Sequence, residues 1–122
     1  WLTCPMYNKK IGSLESQGLI KELDKELKNN PDLKEKWQSR QKSYQAEREG
    51  IAHNNSGPQA TGGVGGATES IKCLHSHTAD ELSTGKNIIG KIVVESIGRF
   101  NCEEACINPK SFEKNKDWKV IW

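Results

Sequence analysis

The sequence predicts a mainly α domain of about five helices packed as one unit. Apolar residues recur at three- and four-residue spacing through most of the chain. Proline, asparagine and glycine stand where such stretches begin and end. Only 34% of the 122 residues are hydrophobic, so much of the chain is solvated surface or extended connection. One domain over residues 1–122, with a modest core, fits this length.

The opening WLTC, residues 1–4, is apolar and β-prone and runs into Pro5, as a short strand feeding a helix start would. From there Tyr7, Ile11 and Leu14 keep helical spacing until Gly18. A second helix carries Leu19, Ile20, Leu23 and Leu27. Asn30 then caps a third helix, with Pro31 at its first position. That helix, about residues 31–51, is mostly polar. Its thin stripe of Leu33, Trp37, Tyr44 and Ile51 suits a crossing helix or a partner chain.

Residues 53–67 are too rich in glycine for a helix or a central strand and form a loop. Helical pattern resumes at Thr68 or Ser70, either a fitting cap, with Ile71, Leu74, Thr78 and Leu82 facing inward. Gly85 closes it. Asn87 opens the last helix, along which Ile88, Ile89, Ile92, Val93, Ile97 and Phe100 follow the 3.6-residue period. Residues 108–122 are an irregular extension. Trp118, Val120 and Trp122 alternate there, and this end is expected to pair with WLTC as a small two-stranded sheet.

Charge excludes some functions. Eighteen basic residues against sixteen acidic ones leave a net charge of +2. No clustered basic face results, so nucleic acid is not an expected partner. No apolar run reaches the ~18 residues of a membrane span. The sequence starts at Trp1 without a methionine, as a processed product would, so a targeting segment is not readable. The four cysteines do not resemble a secreted scaffold. An intracellular compartment, cytoplasmic or organellar, is expected, where clustered thiols bind metal or do chemistry.

The densest chemistry lies in IKCLHSH, residues 71–77. On a helix, Cys73 and His77 share a face, while His75 lies about 200° from Cys73. If the chain is still turning at Cys73, the pair becomes Cys73 with His75. Thiolate and imidazole suit borderline and soft transition metals, zinc most simply. Further donors come from Cys4 or from Cys102 and Cys106 of CEEAC. Two other readings stay open. Cys73 near a helix start is a candidate nucleophile for a thiol- or phosphate-directed hydrolase, or it is core filler beside a histidine bonded to the backbone.

The run GGVGGATES supplies a second feature. Backbone amides around Gly65 and Gly66, with Thr68 and Ser70 at the helix start, suit a phosphate or other small anion, and Arg48 and Lys72 add positive charge. It is not a P-loop, because no lysine followed by serine or threonine stands at the required offset. A different class of function also fits: a non-catalytic module or subunit that docks through Trp37, Tyr44 and Ile51.

Taken together, WLTCP, IGSLESQG, YQAERE, GGVGGATESIKCLHSHTAD and NIIG resemble, in order and spacing over most of residues 1–95, the family catalogued as domain of unknown function 501. The matching positions are Cys4 and Pro5; Leu14, Glu15 and Gly18; Tyr44 and Arg48; Gly65 and Gly66; Lys72, Cys73 and His75; Asn87 and Gly90. The chain departs at Ile88, where the family usually has proline. No established activity comes with the resemblance. It implies that Cys4, Cys73 and His75 meet at one point, with Glu15, Arg48 and Lys72 lining the same cleft. CEEAC and the tryptophan-rich end fall outside it.

Overall fold

Local chemistry sets most helix ends in the computed structural model, which describes residues 1–52 and 56–120. The helices are α1 (Pro5–Ser16), α2 (Leu19–Asn29), α3 (Pro31–Ala52), α4 (Leu74–Thr84) and α5 (Ile88–Ile97). Pro5 and Pro31 occupy first helical positions, where a missing N–H breaks no bond. The Asn30 side chain accepts the Leu33 N–H at 3.1 Å, and that of Asn87 accepts the Gly90 N–H at 3.0 Å. Gly85 ends α4 at φ 67°, a left-handed conformation that costs glycine little.

All five helices, with the segment leading into α4, contribute to one core. Ile11, Leu23, Leu27, Trp37, Ile71, Leu74, Ile89 and Val93 are buried in it. The tightest approach is between α4 and α5. A side chain on Gly90 would strike the carbonyl of His77, so glycine there lets the two backbones meet.

Three expectations change. First, α4 begins at Leu74, and Thr68 and Ser70 are exposed residues in irregular chain. Second, Leu82 is 45% exposed. The inner face of α4 carries His77 and Asp80 beside Leu74 and Thr78, because Arg40 of α3 draws Asp80 inward. Third, no strand forms among the described residues. The pairing that does occur is an isolated antiparallel bridge between Ile107 and Lys114. The Leu2 carbonyl is instead bonded by the Asn8 side chain at 3.2 Å. Trp118 is half-buried, and Trp122 lies outside the described residues.

The apolar stripe of α3 is not a continuous surface seam. Trp37 is buried, Tyr44 half-buried and Ile51 exposed. The polar residues of α3 instead make its tertiary contacts. Arg40 donates to both oxygens of Asp80 at 2.8 and 2.7 Å, and to Glu47 at 2.9 and 3.2 Å. The Asn87 amide donates to Asp80 at 2.9 Å and lies 3.0 Å from Nδ1 of His77. Because the Asn87 oxygen takes the Gly90 N–H, its NH₂ faces His77 and the imidazole accepts through Nδ1.

These contacts set two titrations. Burial pushes His77 down to about 4, against the opposing pull of Asp80. Burial raises Asp80, but the Arg40 fork and the Asn87 amide outweigh it and hold the carboxyl below its ordinary value. No helix among the described residues is long and apolar enough to cross a membrane.

Two outcomes follow from this packing. Gly90→Ala forces α4 and α5 apart and lowers stability by about 3 kcal/mol in urea unfolding; a wild-type midpoint would contradict the close approach. The unfolded chain protonates His77 below about 6.5, whereas the folded chain resists to about 4. Between those values the unfolded state binds more protons, so stability falls as pH falls, by up to about 3 kcal/mol. Urea series from pH 7 to 4 read that slope; a flat profile would contradict it.

Candidate functional site

Cys73 is still extended, at φ −150° and ψ 115°, and serves as the N-cap residue of α4 without a side-chain cap bond of its own. The missing cap comes from elsewhere in the chain. A carboxylate oxygen of Glu15, near the end of α1, accepts the Leu74 N–H at 2.8 Å. Asp24 of α2 likewise accepts the Ile71 N–H at 2.8 Å. Two acidic side chains thus hold the connector and fix where α4 starts.

Starting α4 at Leu74 places Cys73 and His75 on the same side, which a helix through both would not. One oxygen of Glu15, Sγ of Cys73 and a ring nitrogen of His75 lie within 4.8 Å of one another, all partly buried. Of the pairings open from sequence, the turn form with His75 is the one formed.

The two ring nitrogens of His75 have different surroundings. Nε2 lies 3.2 Å from the carbonyl oxygen of Asn8, which can only accept, so Nε2 carries a proton. Nδ1 lies 3.4 Å from the Glu15 oxygen. A neutral ring with its proton on Nε2 presents a bare lone pair to a carboxylate. Two acceptors at that separation need a cation between them, either a proton or a metal ion.

This group lies beside a cleft of about 850 Å³ between the chain start, α3, the glycine loop and α4, with Cys73 and His75 on its wall. The loop is strapped to one face of α3. Gln41 accepts the Val64 N–H at 2.9 Å, Gln45 donates to Thr61 at 3.3 Å, and Arg48 donates to the carbonyls of Gly62 and Ala60. A side chain on Gly63 would collide with Gln41. Gly65 and Gly66 take φ of 63° and 73° and line the cleft.

The other expected donors sit elsewhere. Cys4 is the N-cap residue of α1, packs against the core and is not in the three-residue group. Burial, and next the Cys4 sulfur, raise the hydroxyl of Tyr7 above its ordinary value. His77 is turned inward to Asn87. Cys102 is exposed and Cys106 half-buried, in the irregular chain after α5. Neither joins a group of donors that could hold an ion among the described residues. Thr68, Ser70 and Lys72 are exposed and do not line the cleft.

Glu15 enters the group as a donor, a role that spacing along the chain did not give it. A family model described as protein of unknown function (DUF501) matches residues 1–95, which span the whole three-residue group. No curated protein and no solved structure matches the chain.

Glu15→Ala removes the oxygen that caps α4 and lowers stability by about 1 kcal/mol. Glu15→Gln keeps an amide oxygen there and loses less. Equal losses in urea unfolding would show that the side-chain oxygen is not the cap.

Proposed function

We propose that this chain, which belongs to the DUF501 family, binds one zinc-class transition-metal ion through Glu15, Cys73 and His75. The observation that carries this reading is Nδ1 of His75 facing a carboxylate oxygen at 3.4 Å while Nε2 is engaged by the Asn8 carbonyl. A tetrahedral ion about 2.0–2.1 Å from each would hold them about 3.4 Å apart. The thiolate is the third donor, and sulfur, nitrogen and oxygen together suit zinc better than calcium or magnesium.

The surroundings support the same reading. A metal-binding histidine usually donates its other ring N–H to a carboxylate or a backbone carbonyl, which fixes the tautomer. The Asn8 carbonyl stands in that place for His75. Glu15 is oriented in turn by the Leu74 N–H. Three protein donors leave one tetrahedral position for water or a ligand, the arrangement of zinc sites that do chemistry. An ion held there would act as a Lewis acid on whatever occupied that position.

A cysteine nucleophile is the alternative, and the geometry favours it less. A base in a nucleophile–base–acid relay bonds the nucleophile through one nitrogen and the acid through the other. Here a backbone carbonyl occupies the Nε2 side and the Glu15 carboxylate the Nδ1 side, while the thiol lies within 4.8 Å of that carboxylate oxygen and of a ring nitrogen. That convergence is what a metal needs and a relay does not.

Protein purified without added metal, stripped with chelator and titrated with zinc should bind one equivalent per chain. Cys73→Ser and His75→Ala should lower the affinity at least ~10-fold, whereas Cys4→Ser should leave it unchanged. Glu15→Gln should weaken it about 10–100-fold. Absence of stoichiometric binding, or indifference to Cys73→Ser, would overturn the reading.

A further inference from the structure

Resting on the metal reading above, we propose that the cleft takes a small phosphorylated molecule. Its phosphoryl group bridges the fourth position of the ion and the guanidinium of Arg48. The observation that carries this is the state of Arg48. It is partly buried on the cleft wall, and among the described residues no carboxylate pairs with it. Among the described residues its hydrogen bonds go to backbone carbonyls, those of Gly62 and Ala60. Carbonyl oxygens satisfy two of the five N–H groups of a guanidinium but leave its charge uncompensated.

Arg40, on the same helix, shows the contrast. Asp80, Glu47 and the Ser43 hydroxyl take up its N–H groups, and the two carboxylates compensate its charge. Asp80 also lines the cleft, but Arg40 neutralises it and the Asn87 amide occupies one of its oxygens. The cleft therefore presents the cation of Arg48 and, with the ion bound, one open coordination position on an ion whose charge the thiolate and the carboxylate balance. A phosphate monoester answers both, with one oxygen for the ion and others for the guanidinium. Arginine grips phosphate with a planar fork, which adds geometry to charge.

The two centres belong to one wall. A Cβ built on Gly65 would lie 3.7 Å from the Cβ of Cys73 and 3.0 Å from that of Ser76. The loop that Arg48 holds through Gly62 therefore abuts the cysteine of the metal group. A side chain at Gly65 would fill that gap, and glycine keeps it open beside the Ser76 hydroxyl. At about 850 Å³ the cleft falls within the range of sites that enclose small organic ligands.

The test uses the zinc-loaded full chain and phenylphosphonate, which cannot be hydrolysed, in titration calorimetry. One-to-one binding is expected. Arg48→Gln should weaken it about 10–100-fold, with zinc still bound at one equivalent. Arg48→Lys should recover only part, because a point charge lacks the fork. Arg48 also straps the loop, so Ser76→Asp serves as an independent variant. An acidic residue is favourable in the first turn of α4, yet it places a carboxylate beside the phosphoryl group and should abolish binding while zinc stays.

Zinc bound at one equivalent without phenylphosphonate binding overturns the inference and leaves the metal reading standing. An unchanged Kd in Arg48→Gln, or in Ser76→Asp, does the same. Benzoate binding as tightly as phenylphosphonate overturns the phosphoryl assignment. Failure of the metal reading is seen separately, in the zinc titration made before any anion is added.

Discussion

The candidate site depends on one hydrogen bond, from the Leu74 amide to the Glu15 carboxylate. A helix leaves its first amides without internal acceptors, and a residue near the start usually supplies one. Here the N-cap residue is Cys73, whose side chain makes no such bond. Glu15 arrives from α1 and supplies it. The start of α4 is therefore a tertiary decision, and so is the placement of Cys73 in extended chain one residue before the helix. Had α4 begun a turn earlier, Cys73 and His75 would project to different sides. The capping oxygen is also the one beside His75, so one carboxylate both begins the helix and completes the donor set.

Helix α3 carries the other half of the organisation, through polar residues on two of its faces. Arg40 joins α3 to α4 through buried Asp80 and reaches Glu47 two turns further along its own helix. Gln41, Gln45 and Arg48 hold the glycine loop. A loop of this composition cannot build a ladder of backbone bonds for itself. Side chains of α3 satisfy several of its amides and carbonyls instead, and this shapes the loop wall of the cleft.

The legible part of the fold was its local part. Pro5, Asn30 with Pro31, Gly85 and Asn87 mark helix ends through contacts within four residues, and periodicity reveals such ends directly. The helical class and its five segments were legible for the same reason. What crosses the chain was not. The contact of Glu15 with Leu74 spans 59 residues, and that of Arg40 with Asp80 spans 40; no periodicity encodes either. The stripe drawn through Ile71, Leu74, Thr78 and Leu82 assumed an apolar inner face, and the buried ion pair broke that assumption at Asp80. Cys73 and His75 were legible as chemistry, and the turn geometry that joins them was one of two alternatives. Cys4 was grouped with them through a shared motif, which records recurrence and not distance. Its sulfur lies instead toward Tyr7 and the core.

The two arginines of α3 show how a chain of near-zero net charge builds a site without a basic patch. A buried guanidinium must be desolvated, and desolvation is tolerable only with full pairing. Arg40 meets that requirement inside the protein, through a fork to Asp80 and a second contact to Glu47. Such a pair adds little net stability, because removing both charges from water costs about what their attraction returns. What it adds is register, since an Asp80 turned outward would take the buried carboxylate from Arg40 and leave it the exposed one of Glu47. Arg48, two turns further on, meets neutral carbonyls and keeps its charge. Placing the carboxylate-paired arginine at the core and, at the cleft, one that meets no carboxylate among the described residues separates structural electrostatics from available electrostatics along one helix. The same logic holds at His75, where a carbonyl fixes one nitrogen and leaves the other facing a carboxylate. In both places a backbone carbonyl takes up a hydrogen-bond donor without cancelling the charge beside it.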